Sequence, residues 1–271
     1  MIKDNIKVET YRKESNMNEF GHEEYIREVP GASRAVVFIH GILSTPLFFE
    51  KLIEKVPEDF SVYNILLDGH GGMVKDFSES SMKIWKHQAR YLINTLSKKY
   101  ESIILVGHSM GTLFSIQNAV KYPQKIKALF LICSPLKVRV HPRSAKYSLR
   151  IIFERPSKED PIEDSARKWY SIKPDKKLWR YIPWIPKFTC LLSEIRKTRK
   201  LTPEISMPTL VFHADNDSLV SMKAVKFFHH NSNIQVTHLK TSFHQYFSND
   251  DYELMINSFS KLIEQQTKNL N

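Results

Sequence analysis

Gly107-His108-Ser109-Met110-Gly111 sets one serine between two glycines, directly after the apolar run Ser102–Val106 and before a helical pattern that begins near Thr112. This G-x-S-x-G order in a strand–turn–helix context is the pattern of a nucleophile elbow. Small residues flank a serine whose backbone is strained and crowded, and the hydroxyl points off the sheet edge at a helix N-terminus that favours developing negative charge. A serine hydroxyl is a poor nucleophile at neutral pH unless a base takes its proton and a carboxylate orients that base. In this architecture the acid and then the base follow the serine, each after a later strand. The apolar run Pro208–His213 leads into Ala214-Asp215-Asn216-Asp217, and Ile234–Leu239 leads into Lys240-Thr241-Ser242-Phe243-His244. His244 is the candidate base, and Asp217 or Asp215 the candidate acid. His213, His229, His230 and His238 fall within elements and read as packing or surface residues.

Attack on a carbonyl also needs donors for the oxyanion. One is expected from the backbone N–H after the nucleophile, at Met110. The other is expected from the loop His40-Gly41-Ile42-Leu43 after the run Arg34–Phe38, where Gly41 permits the sharp turn that aims the Ile42 N–H. Removing one such donor costs roughly 3–4 kcal/mol of barrier.

The elements that must hold these residues are short runs rich in Val, Ile, Leu and Phe: Arg34–His40, Ser61–Leu67, Ser102–Val106, Lys127–Cys133, Pro208–His213 and Ile234–Leu239. Most are continuously apolar, as strands covered on both faces are. Between them lie helical patterns at about Pro46–Val56, Ser81–Lys99, Thr112–Tyr122, Ser221–Asn231 and Asp250–Gln266. The alternation predicts an α/β fold with a mostly parallel central sheet flanked by helices. Two weaker extended segments, near Ile6–Tyr11 and Glu19–Val29, are candidates for an antiparallel edge. The rhythm breaks from Leu136 to about Ile205, a stretch whose helical pieces are punctuated by Pro142, Pro156, Pro161, Pro174, Pro183 and Pro186 and which holds three of the four tryptophans. It reads as a helical cap inserted between two strands.

The chain has 271 residues, 42% of them hydrophobic and 25% charged, which is ordinary globular composition and excludes disordered, collagenous and disulfide-scaffold classes. Cys133 and Cys190 lack zinc-type spacing, and Cys133 sits in an apolar run as a packing residue. With no apolar run near the roughly 20 residues of a membrane span and no leader pattern at Met1–Asn5, the expectation is a soluble, cytoplasmic protein. The net charge of +11 is localised: residues 136–200 hold 18 Lys and Arg against 7 Asp and Glu, and the remainder is balanced.

On His40-Gly41-Ile42, the loop Leu67-Asp68-Gly69-His70-Gly71, the elbow at Ser109 and the two late loops, the chain resembles the α/β-hydrolase superfamily. It is most similar to the branch of monoacylglycerol lipases, bacterial carboxylesterases and serine aminopeptidase-like hydrolases. The resemblance covers about Val29–Pro135 and Ile205–Glu264. It implies a core of residues 1–135 and 201–271, a cap of residues 136–200, and no metal or organic cofactor. It implies Asp217 as the acid, because the family's acid stands three residues before a valine, here Val220. It likewise implies Ser109 as nucleophile, His244 as base, and Ile42 and Met110 as oxyanion donors. The chain departs at Ala214 and Phe243, where the family commonly carries glycine.

The expected function is a serine hydrolase that cleaves carboxylic esters of hydrophobic acyl groups through an acyl-enzyme. An acyl thioesterase acting on acyl-CoA or acyl-carrier protein is the alternative, because the cap is basic. A non-catalytic binding protein of the same fold is a further alternative. A carbon–carbon lyase also occurs on this fold. An aminopeptidase would need cap carboxylates to hold a substrate amine, and this cap is net positive. The cap mixes cations with aromatics, as in Lys176-Lys177-Leu178-Trp179-Arg180-Tyr181-Ile182-Pro183-Trp184. One reading has charges in water and aromatics packed on the core; a sharper one has an apolar acyl tunnel with a positive rim. The expected partner is a small-molecule ester, with weak association with an anionic membrane surface and no nucleic acid, in a monomer or dimer.

Overall fold

The computed structural model describes residues 21–155 and 159–268. Seven strands form one sheet: β1 Tyr25–Arg27, β2 Arg34–Ile39, β3 Ser61–Ile65, β4 Ser102–His108, β5 Ile126–Ile132, β6 Thr209–Ala214 and β7 Ile234–Leu239. Their order is β1-β3-β2-β4-β5-β6-β7, with β1 antiparallel to β3 and every other pair parallel. The expected parallel α/β sheet is present, and the Glu19–Val29 segment supplies an antiparallel edge strand. Ile6–Tyr11 lies outside the described residues.

The continuous apolar runs alternate their side chains between two faces. Val37, Ile39, Ile103 and Leu105 pack on one side with Trp85, Ile93, Leu113 and Phe114. These come from α3 Met82–Lys99 and α4 Met110–Lys121. Val36, Phe38, Ile104 and Val106 pack on the other with Phe49, Leu52, Phe259 and Leu262. That side is covered by the 3-10 turn Pro46–Phe49, α1 Glu50–Ile53 and α8 Asn249–Lys268. Both faces are therefore dry, which is why every residue of β4 is buried although the strand has no polar–apolar alternation.

The helical patterns at 46–56 and 221–231 form only in part, the first as the 3-10 turn Pro46–Phe49 and the four-residue α1. The 221–231 pattern forms only a 3-10 helix over Met222–Phe227. A short helix, α2 Val74–Glu79, follows the loop after β3, its entry held by Asp76 accepting from the Met73 N–H at 2.7 Å. Between β5 and β6 the chain forms α5 Pro142–Ile152, α6 Pro161–Lys168, a 3-10 helix Leu178–Trp184 and α7 Ile185–Leu201. No helix among the described residues is long and apolar enough to cross a membrane.

The strand order reverses direction at β2, which has β3 on one side and β4 on the other. Loops leaving the C-terminal ends of β2 and β4 therefore diverge around a crevice, the usual ligand position in an open α/β sheet. The Ile39–Gly107 register brings the His40–Leu43 loop beside Ser109.

Candidate active site

Ser109 adopts φ 50° and ψ −120°, a strained backbone for a side chain with a Cβ. The crowding around it explains the glycines. A Cβ on Gly107 would lie 2.7 Å from the Thr112 nitrogen, and one on Gly111 1.9 Å from the Ile39 carbonyl oxygen. The turn is clamped from both sides: Ser109 N–H donates to Ile132 O at 2.9 Å, and Thr112 donates to Ser109 O through its backbone N–H at 3.0 Å and its hydroxyl at 2.7 Å.

The loops after β6 and β7 converge on this serine. His244 Nε2 lies 3.0 Å from Ser109 Oγ, and His244 Nδ1 lies 2.7 Å from Asp217 Oδ2. The second carboxylate oxygen of Asp217 accepts from the Leu219 and Val220 N–H groups at 2.7 and 2.8 Å. Burial pushes the Asp217 carboxyl up. The charge and hydrogen bond of His244 and the two backbone donors outweigh it, so the group is held below the ordinary carboxylate range. Asp215 faces elsewhere, 2.8 Å from His238 Nδ1. Of the two acids that the residues alone left open, Asp217 is the one brought to His244.

Gly41 passes so close to the elbow that a Cβ there would sit 2.9 Å from the Ser109 Cβ. The Ile42 N–H makes no hydrogen bond among the described residues. Met110 is the first residue of α4, so its N–H has no partner within the helix. Both N–H groups thus flank Ser109 without an internal acceptor.

Three buried histidines hold this arrangement, with roles that residue type and motif membership alone do not disclose. His40 accepts from the Leu67 N–H at 3.0 Å and donates to Gly41 O at 2.8 Å. His70 accepts from the Leu43 N–H at 3.1 Å and donates to Leu67 O at 3.1 Å. The two rings stand edge-on 4.8 Å apart and tie the loop after β2 to the loop after β3. His108 stacks on Phe48 at 4.0 Å and donates from Nε2 to the carbonyl of His244 at 3.0 Å, fixing the backbone that carries the imidazole. The signal that could have found them is a histidine within a run of otherwise buried residues, where only a neutral ring with fixed partners is tolerated.

Burial lowers His40 to about 4, and burial together with the charge of His244 lowers His108 to about 3, from an ordinary value of 6.5. The unfolded chain therefore binds more protons than the folded one from pH 6.5 down to about 3–4, so stability must fall with pH through that window. Thermal denaturation is expected to show Tm decreasing steadily on acidification below about pH 6.5. A Tm that stays constant down to about pH 4.5 would contradict the buried neutral rings.

His108, Cys133 and His244 bring their potential ligand atoms within 4.8 Å of one another. Both ring nitrogens of His244 are already engaged, and burial pushes the Cys133 thiol well up, which keeps its proton. The cluster is packing around the imidazole, with Cys133 beside Asp217. The inserted segment is strapped to the same loops. Ser171 N–H donates to Leu43 O at 3.0 Å, Lys173 N–H to Gly72 O at 2.9 Å, and Trp169 Nε1 to Gln245 O at 3.1 Å.

Residues 31–251 match the family described as serine aminopeptidase, S33. A 2-(acetamidomethylene)succinate hydrolase of Mesorhizobium japonicum is 30% identical over 102 residues, 38% of this chain and 36% of that protein. The chain thus spans about a third of the length of the curated relatives it matches first. Among solved structures, one described with the metagenome-derived lipolytic enzymes LipS and LipT superposes with a TM-score of 0.69 at 17% identity, covering 90% of this chain and 98% of that one. The monoacylglycerol lipase of Paleococcus ferrophilus gives 0.62 at 17% identity over 89% and 98%. At these identities the structures speak for the fold, and the family match over most of the chain carries the assignment. The chain belongs to the S33 serine aminopeptidase family and has the α/β-hydrolase fold.

Proposed function

We propose that the protein is a serine carboxylesterase acting on esters of hydrophobic acyl groups. The observation that carries this reading is the unbroken line from Ser109 Oγ to His244 Nε2 at 3.0 Å and from His244 Nδ1 to Asp217 Oδ2 at 2.7 Å. Ser109 Oγ attacks the ester carbonyl while His244 takes its proton. Asp217 accepts from Nδ1–H, holds the tautomer that leaves Nε2 free to act as base, and stabilises the imidazolium. The Ile42 and Met110 N–H groups receive the oxyanion. His244 returns the proton to the departing alkoxide as the carbon–oxygen bond breaks, leaving an acyl group on Ser109. Water then attacks the acyl carbon, gives its proton to His244, and releases the acid as Ser109 is reprotonated.

Residues 136–200 act in this reading as the cap that selects the acyl group. The straps from Trp169, Ser171 and Lys173 to the loops around Ser109 support that role. A thioesterase would use the same residues with a different leaving group, and the concentrated positive charge of the cap favours it as the second reading.

A fluorophosphonate probe is expected to label the folded protein at Ser109 and not to label Ser109→Ala. A nitrophenyl acyl ester should give a burst of nitrophenol stoichiometric with enzyme. An acyl-CoA of equal chain length, run beside it, should be slower under the esterase reading; faster, salt-sensitive turnover of the CoA ester would move the assignment to thioesterase. A folded protein without labelling would leave a binding protein.

A further inference from the structure

The outer face of the 3-10 helix Leu178–Trp184 and of α7 carries an apolar stripe that the fold does not use. Trp179, Ile182 and Ile185 are 64%, 62% and 60% exposed, and Phe188 and Leu192 are also exposed. Their spacing of three, three, three and four residues keeps them on one side of a 3-10 helix running into an α-helix. The adjoining side is the packed one: Trp184, Lys187, Glu194, Ile195 and Thr198 are buried. Trp184 donates to Ser78 Oγ at 3.0 Å and Lys187 to Ser78 O at 2.9 Å, which fasten the segment to α2. The stripe is therefore solvent-facing although the segment is fully folded, and contiguous apolar surface of this kind on a folded chain marks an interaction site.

Its surroundings are cationic. Lys177 stands at one end with its Nζ 5.9 Å from the Trp179 ring, and Arg196 and Lys200 continue the line of Phe188 and Leu192 at the other. Among the described residues these three make no ion pair. Beside the last turn of α7 opens a cleft of about 470 Å³ whose lining includes Lys137, Arg199, Lys223, Lys226 and His230 and no acid. A second copy of the chain would press the same positive charge against itself. A nucleic acid would leave Ile182, Ile185 and Leu192 wet. An anionic bilayer satisfies both components, because aliphatic side chains and one indole enter the acyl boundary while lysine and arginine meet the headgroups.

The geometry points to the outer face of residues 178–200 as a docking surface for an anionic lipid bilayer. This is a property of that face and stands apart from the chemistry at Ser109. It is tested by co-sedimentation of the full chain with phosphatidylcholine vesicles, with and without phosphatidylserine, at low and high salt. The wild type is expected to bind the phosphatidylserine vesicles and to be released by salt. Trp179→Ser with Ile182→Ser and Ile185→Ser should weaken binding at least about tenfold, and so should Arg196→Glu with Lys200→Glu. Circular dichroism and Tm matching the wild type would establish that the exposed substitutions leave the fold intact. Absence of wild-type binding at low salt, or binding unchanged in the stripe variant, overturns the proposal. So does a wild-type dimer in light scattering that the stripe variant converts to monomer, which would make a second copy the occupant.

Discussion

Asp217→Asn is expected to lower kcat on an activated ester by about 10⁴-fold, and Asp215→Asn by less than about tenfold. The two carboxylates lie two residues apart in one loop, yet their surroundings differ. The Asp217 side chain is fully enclosed, with one oxygen on His244 Nδ1 and the other on the Leu219 and Val220 N–H groups. An asparagine there turns its amide nitrogen to one of these sides. Facing Nδ1, it forces the imidazole proton onto Nε2, where His244 can no longer accept from Ser109; facing the backbone donors, it opposes them N–H to N–H. Asp215 binds His238 in a partly exposed pair, where an asparagine oxygen can accept in its place. The measurement is kcat for both variants together with Tm, so that a folding defect in Asp217→Asn is separated from lost chemistry. Equal losses, or the larger loss in Asp215→Asn, would remove Asp217 from the proposed acid role and with it the assignment of the acid loop.

The distinction between these acids shows what a sequence carries and what it does not. Ser109 is legible because the elbow is a steric problem with few solutions: a Cβ at Gly107 or Gly111 would collide with backbone, so the glycines must be where they are. The strands are legible because burial on both faces demands uninterrupted apolar residues, as in Ile103 to Val106. Asp215 and Asp217 differ only in which way a loop turns. That turn is fixed by the register of β6 on β7, which sets His213 opposite His238 and leaves Asp215 beside the latter. Residue chemistry alone could not choose, and the resemblance did so only through the position of Val220. α2 is not legible, because six residues with two buried side chains, Val74 and Phe77, make too little periodicity. The pattern at 221–231 promised more helix than forms, since Ala224, Val225 and Phe228 bury equally well from a tighter 3-10 turn. The straps from Trp169, Ser171 and Lys173 are between backbone or indole groups and partners at least 76 residues away, and such pairings leave no mark in local sequence.

Gly111→Ala is expected to be the most destabilising single-methyl change in the site. Its Cβ would stand 1.9 Å from Ile39 O, 2.6 Å from Ile39 C and 2.9 Å from His40 O. All three are backbone atoms at the end of a central strand hydrogen-bonded on both sides, so no side chain can swing aside. α4 must instead move away from β2 by more than an ångström. That exceeds the usual accommodation of an overpacked core and places the cost at about 3 kcal/mol or above. For a chain of this length that corresponds to a fall in Tm of roughly 6–12 °C. The same displacement carries Ser109 and the Met110 N–H away from His244 and the Ile42 N–H, so fluorophosphonate labelling should slow together with the loss of stability. Gly31→Ala is the matching control: its Cβ would meet nothing within 4 Å, and only the φ of +75° opposes it. That restricts its cost to about 1–2 kcal/mol and leaves labelling at the wild-type rate. Wild-type Tm and labelling in Gly111→Ala would mean that α4 does not press on β2, and the close approach that presents Ser109 between the two N–H groups would then have to be abandoned.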